Sequence, residues 1–129
     1  MVRISHDPID PAKAYELITA DGAGSVVFHY AIVKPQAGAT GTTEYIDYTT
    51  SGDAEAELRE IADDLAAQFS VEDVLLVRRT GRLGLDEIIS LVAASSPNSE
   101  DAFEACRFGI SRLKKMSTIV KSEKFADIE

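Results

Sequence analysis

Phe103–Glu123, FEACRFGISRLKKMSTIVKSE, holds the pattern around which the rest of the chain is arranged. Phe103, Cys106, Ile110 and Leu113 recur at helical spacing, which predicts a helix with those residues turned inward and Arg107, Arg112, Lys114 and Lys115 turned elsewhere. Ser117, Thr118, Ile119 and Val120 are small or β-branched and favour an extended exit. The stretch thus reads as a helix with a cationic end, a turn, and a short extended segment carrying Lys121 and Glu123. Such a turn brings Lys121 back toward Lys114.

Upstream of this helix, Asn98 or Ser99 supplies an N-cap, with Glu100 and Asp101 in the first turn, where the helix dipole favours acids. Near the start of the chain, Asp10-Pro11 is an N-cap followed by proline at the first helical position, opening a short helix Ala12–Ile18 with Tyr15 on its inner face. Asp21-Gly22-Ala23-Gly24 breaks the chain before a strand at Ser25–Lys34. Val26, Phe28, Tyr30 and Ile32 share one face of that strand, and Val27, His29 and Val33 the other. His29, mid-strand among apolar residues and with no second histidine placed to join it, reads as a satisfied structural imidazole. Pro35–Thr42, PQAGATGT, reads as a loop that either connects elements or covers a site.

Thr43–Tyr48 returns as a second strand. Asp53–Phe69 is a helix with Ala54, Leu58, Ile61, Ala62, Leu65 and Phe69 in one stripe and its acids on an opposite, solvated face. Val74–Val77 reads as a buried strand, Gly81 to Gly84 as a turn, and Glu87–Ala94 as the next strand. The order helix, two strands, helix, two strands, helix, tail predicts an α+β domain spanning residues 1–129, with helices packed on a mainly antiparallel sheet.

Composition narrows the function classes. The chain has 129 residues, is 45% hydrophobic, and carries a net charge of −9. That size supports a modest core, often completed by association with a second copy. Neither a run of about 18 apolar residues nor a basic-then-apolar amino terminus is present, which points to a soluble cytoplasmic protein without a membrane segment. The acidic balance argues against nucleic acid, whose phosphates need a basic surface. The charge is uneven, however: Asp53–Asp73 holds eight acids against one arginine, while six of the 13 basic residues follow position 106. A local anion site within an acidic protein fits this distribution. Cys106, the single cysteine, lies on the apolar helix face and reads as a buried structural thiol.

Two histidines and one cysteine without close spacing form no zinc pattern. No phosphate-binding loop or dinucleotide fingerprint is present, and acids such as Asp63-Asp64 fall on the exposed helix face, a poor place for a glycosidase pair. Lysine chemistry beside a helix end remains. Two ammonium groups held close disfavour each other's charge, so one can serve as nucleophile or base while the other holds an anion. On spacing alone, a simpler role is favoured for Lys114 and Lys115, complementing the negative end of the helix and reaching into water.

Phe103-Glu104-Ala105, Lys114, Lys121 and Glu123 together resemble the FEA-(x)8-K-(x)6-K-x-E signature of the molybdopterin synthase large (catalytic) subunit, the MoaE family. Gly24-Ser25-Val26-Val27 with Val33-Lys34 resembles that family's first core strand and its "VR" end. Arg78-Arg79-Thr80-Gly81-Arg82-Leu83, followed by Asp86-Glu87-Ile88, resembles its "HRIGxL…DEI" hairpin. The resemblance spans Asp21 to Glu123 and implies an α/β-hammerhead fold.

By this resemblance, Lys114 and Lys121 are the two catalytic lysines, and Lys34, Arg79 and Glu123 bind substrate, with Lys34 standing where the family has arginine. The implied reaction takes sulfur from the thiocarboxylate on the Gly-Gly tail of a small ubiquitin-like sulfur-carrier subunit. It delivers that sulfur, in two rounds, to cyclic pyranopterin monophosphate, forming the dithiolene of molybdopterin without a metal or a resident cofactor. The implied assembly is a homodimer with two small subunits at its ends, and the Pro35–Thr42 loop borders the pocket. Three departures keep a second reading open, that of a catalytically reduced homologue or an α+β homodimer binding a protein tail or small anion without chemistry. The family's His-Arg pair before FEA is replaced in Ser95-Ser96-Pro97-Asn98-Ser99, its Pro-x-Trp before the second lysine by Thr118-Ile119-Val120, and its tryptophan and basic tail do not follow Glu129.

Overall fold

A computed structural model describes residues 1–36 and 41–126. In chain order the elements are β1 (Val2–Ser5), α1 (Pro11–Ala14), a 3-10 turn (Tyr15–Leu17), β2 (Ser25–Ile32), β3 (Thr43–Thr50), α2 (Ala54–Gln68), β4 (Asp73–Arg79), β5 (Gly81–Gly84), β6 (Ile88–Ser96), α3 (Ser99–Lys114) and β7 (Ile119–Phe125). The three helices form where capping and periodicity place them. Asp10, Asp53 and Asn98 each accept a backbone N–H of the first turn, satisfying donors that a helix start leaves unpaired.

The strands form two sheets, one ordered β1-β4-β6-β2 and one ordered β5-β3-β7. All pairings are antiparallel except β1 with β4, so the fold is α+β as the element order predicts. Leu58, Ile61 and Leu65 of α2 and Ala105, Cys106 and Leu113 of α3 pack with Val74, Leu76, Val92 and Ala94 on one face of the larger sheet. Strand alternation sends Leu75, Val77, Leu91 and Ala93 to the opposite face, where Ala14 and Ile18 partly cover them. A third cluster, Val33, Ile46, Tyr48 and Leu83, ties the smaller sheet to the end of the larger one.

Several expectations need correction. The inward stripe of α3 is Ala102, Ala105, Cys106, Gly109 and Leu113, whereas Phe103 is 60% exposed. The small residues let the helix approach the sheet closely, and a Cβ at Gly109 would sit 2.9 Å from Val92 Cγ1. Tyr15 is 62% exposed, because α1 gives way to a 3-10 turn that rotates it off the inner face. Gly81–Gly84 is a strand paired to β3, and the reversal falls at Gly81 itself, whose φ of 101° suits glycine. The short β1 and the length of β7 were not signalled by periodicity. Of the expected loop Pro35–Thr42, residues 37–40 lie outside the described residues. No described helix is long and apolar enough to cross a membrane.

Two local features aim side chains at the site. The β2–β6 register runs Ala31↔Ser90 and then Ile32↔Ile88, so Ile89 is an extra residue, a bulge that bends the pair. Beyond it, hydrogen bonds from Val33 N to Glu87 O and from Asp86 N to Val33 O hold Val33 in the core and turn Lys34 outward. At the other end, Glu57 of α2 accepts the backbone N–H groups of both Ser117 and Thr118 at 3.0 Å and both of their hydroxyls. This one carboxylate fixes the turn between α3 and β7.

Candidate active site

The last turn of α3 carries Lys114 at its exposed end. After the turn held by Glu57, β7 runs back antiparallel to β3 with Tyr48 opposite Lys121 and Ile46 opposite Glu123. The two-residue period of a strand puts Ile119, Lys121 and Glu123 on the same face. That face, the end of α3 and the edge of the larger sheet enclose a cavity of about 570 Å³. Lys34, Lys114, Lys121 and Glu123 all line it, and Lys115 does not. Lys115 is the helix C-cap, its N–H bonded back to Arg112 O and Leu113 O.

Four of the five residues expected at the site are therefore brought together from three separate parts of the chain. Lys121 Nζ lies 3.5 Å from Glu123 Oε1, so this lysine meets a carboxylate within the cavity that Lys114 also lines. Glu123 is oriented in turn by the Thr43 hydroxyl, which donates to its Oε2.

Arg79 is placed elsewhere. Strand alternation turns it away from the cavity, where it is 6% exposed, bonded to Glu87 Oε1 at 3.0 Å and to His6 O at 3.1 Å. Backbone donation from Gly84 and the Arg79 guanidinium hold the Glu87 carboxyl below its ordinary range. Arg79 thus anchors the β5–β6 connection and the residues after β1. Its neighbour Arg78 faces the cavity instead, 8% exposed, with its guanidinium 4.4 Å from the centroid of the Tyr48 ring. Desolvation by burial draws the Arg78 pKa below the ordinary arginine value, and Tyr48 partly offsets this.

The cavity wall also holds His29, Ser90 and Met116. His29 Nδ1 is buried without a hydrogen-bond partner among the described residues, so the imidazole is not the satisfied structural group that its apolar neighbours suggested. Sequence signals for Arg78 and His29 existed, since each is a polar residue inside an apolar strand, but only the register shows that both face α3. Cys106, by contrast, is buried and donates toward Val27 O at 3.4 Å. Burial pushes its thiol up to about 11, which keeps it protonated and outside the chemistry.

The MoaE protein family model matches residues 4–116. The chain is a member of the MoaE family. It is 30% identical over 128 residues to the molybdopterin synthase catalytic subunit of Rhizobium meliloti (strain 1021), covering 98% of this chain and 81% of that one. The crystal structure of molybdopterin synthase from Staphylococcus aureus superposes on this MoaE-family chain with a TM-score of 0.87 at 30% identity, covering 96% of this chain and 90% of the other. The fold is also shared with the Helicobacter pylori complex of subunits 1 and 2 of molybdopterin-converting factor, at a TM-score of 0.73 and 17% identity, over 96% and 84% of the two chains.

Proposed function

We propose that this MoaE-family protein acts in molybdenum cofactor biosynthesis as a molybdopterin synthase catalytic subunit, a cytoplasmic sulfurtransferase built as one domain over residues 1–129. Its donor is the Gly-Gly thiocarboxylate tail of a small ubiquitin-like sulfur-carrier subunit, and its acceptor is cyclic pyranopterin monophosphate, which becomes the dithiolene of molybdopterin. The observation that carries this reading is the convergence of Lys114 and Lys121, from a helix end and a returning strand, on one cavity that Lys34 also lines. Both substrates are anionic, and a cavity lined by lysines attracts them and stabilises charge developing on the reacting groups. Lys114 and Lys121 are assigned the catalytic roles, Lys34 the capture of an anionic group, and Glu123 the orientation of Lys121.

The working unit in this reading is a homodimer carrying two small subunits. The face of the larger sheet away from α2 and α3 is only partly covered, with Val26, Phe28 and Tyr30 half-buried there and Tyr15 packed on Phe28 at 6.2 Å between ring centroids. This face gives a second copy an apolar surface.

The test is co-purification with a small Gly-Gly-ending partner, followed by an assay of dithiolene formation from the thiocarboxylated partner and the pterin. Dithiolene formation is expected. Stable binding of the partner with no sulfur transfer would favour the non-catalytic reading, which one observation supports. Asn98 and Ser99, in the region where the family's His-Arg pair falls, are both engaged elsewhere, Asn98 capping α3 and Ser99 hydrogen-bonded to Ser25 at 2.6 Å.

A further inference from the structure

β4 carries two adjacent buried arginines that differ in one respect. Arg79 meets a carboxylate at 3.0 Å. Arg78, almost equally buried, enters none of the ion pairs among the described residues; the Nε atoms of both arginines lack a hydrogen-bond partner among them, so the difference is the counter-charge. A guanidinium stays charged at neutral pH, and burying it without a counter-charge is costly. The Tyr48 ring offsets part of that cost, since its face attracts a cation.

The sheet register surrounds Arg78 with further unspent polar groups. Arg78 pairs with Ser90, and Ser90 with Ala31, so the three form a row across β4, β6 and β2. His29 lies two residues along β2 from Ala31, on the same face, and its buried Nδ1 also lacks a partner among the described residues. All of these residues line the cavity that Lys114 and Lys121 border. Two buried nitrogen atoms without hydrogen-bond partners lie on one cavity wall, and one belongs to a permanent cation without a counter-charge, whose planar fork of donors matches an oxyanion in charge and shape.

We infer that Arg78, with Ser90 and His29 beside it, forms an oxyanion subsite on the sheet wall of the cavity, separate from the lysines that border it. The inference rests on the functional reading above, because that reaction offers two oxyanions, the phosphate of the small substrate and the carboxylate-type terminus of the tail. Arg78 is a binding residue for whichever of these reaches the wall.

The probes are inorganic phosphate and a short peptide ending in Gly-Gly, each titrated against the full chain by calorimetry and by thermal shift. Wild type is expected to bind at least one and to gain melting temperature with it; preference between the two identifies the source of the oxyanion. Arg78→Met removes the charge and fork while filling similar space. It is expected to retain or raise the melting temperature without ligand, because a costly buried cation is gone, and to lose at least about tenfold in affinity for that probe. Lys115→Ala is expected to bind as wild type. Should Arg78→Met fail to fold, Arg78→Lys carries the test, with a loss of at least about threefold expected because an ammonium cannot reproduce the fork.

Wild-type affinity in the Arg78 variant, or no binding of either probe by wild type, overturns the inference. Sulfur transfer at the wild-type rate and KM in Arg78→Met would overturn it while leaving the sulfurtransferase reading standing. Arg78-dependent phosphate binding in a protein that forms no dithiolene would do the reverse.

Discussion

At the scale of single residues, the two adjacent lysines at the end of α3 separate a site from a helix cap. Lys114 lines the cavity and Lys115 does not, although both are exposed and each substitution removes one charge from the same neighbourhood. Lys114→Ala is expected to fold normally, since exposed residues contribute little to stability, and to lose sulfur transfer by on the order of 100-fold or more, as misplacing a reacting group does. Lys121→Ala should weaken transfer strongly and Lys115→Ala hardly at all. Equal rates for the Lys114 and Lys115 variants would reduce the basic end of the helix to a cap. Cys106 offers a second check at this scale. With its thiol held protonated by burial, it should react with an alkylating reagent at pH 8 only as fast as the protein unfolds. Fast labelling of the folded chain, read by mass spectrometry, would place the thiol at the surface.

Lys34, Lys114, Lys121 and Glu123 were named through the family resemblance, and all four line the cavity; spacing alone favoured a helix cap for Lys114. Arg79 was misplaced because the spacing of a motif does not say which face of a strand a residue occupies; a one-residue offset exchanges the wall of the cavity for the far side of the sheet. Phe103 was misread for a related reason. Its size suggested core, but the helix lies so close to β6 that small residues, Ala102, Ala105, Cys106 and Gly109, form most of the stripe beneath it, with Leu113 at the end.

At the scale of elements, the relation between α3 and β7 depends on α2. The acidic face of α2 is solvated at Glu55 and Glu60, but Glu57 is enclosed by the Ser117–Thr118 turn. Burial opposes its charge, yet the hydrogen bonds from Thr118 and Ser117 together outweigh burial and hold its carboxyl below the ordinary value of 4.5. A depressed folded-state value means that the charged carboxylate stabilises the fold above pH 4.5 and that this contribution is lost as pH falls through the lower, folded value. Glu57→Gln puts an amide donor against the Ser117 N–H, and should cost about 1–2 kcal/mol at pH 7. In urea unfolding, the gap between wild type and variant should narrow progressively as pH falls below 4.5; a gap independent of pH would assign the effect to packing.

Gly109 is tested differently. Alanine raises helix propensity by up to about 1 kcal/mol, but its methyl would meet the buried Val92 at 2.9 Å, and overpacking of this kind costs about 1–3 kcal/mol. A net loss of stability in Gly109→Ala is expected by thermal unfolding; a gain would show that α3 can lift off the sheet freely. Neither contact was readable beforehand, because each joins residues far apart in sequence. The helices themselves were readable, since their caps and stripes are local.

At the scale of the whole molecule, an apolar run such as Ile88–Ala94 would offer a surface to a second copy if it lay at a sheet edge. The strand is instead central, flanked by β4 and β2, so its apolarity is used within the chain. In the proposed dimer the partly covered face bearing Tyr15, Phe28 and Tyr30 takes that role, and light scattering at micromolar concentration should report a dimer. Tyr15→Glu, placing a charge on a residue already 62% exposed, should shift that equilibrium toward monomer without unfolding the chain. Unchanged mass would move the interface elsewhere.

The bulge at Ile89 carries a consequence of a different kind. Along a strand, facing is a matter of parity: each residue added or removed exchanges inside for outside for everything beyond it. β2 leaves the sheet in step with β6 only because β6 contains one residue more than the ladder needs. Deleting Ile89 changes no charge and removes no group from the lysine cluster, yet a regular ladder at that point would reverse the facing of Ile88 and the residues before it, and so disturb the Glu87 and Asp86 backbone groups that hold Val33, now 1% exposed, in the core. The backbone bonds that fix Val33, and with it the neighbouring Lys34, thus depend on arithmetic in an adjacent strand, and lineages of this chain would tolerate side-chain replacement at position 89 far more readily than a change in the number of residues there.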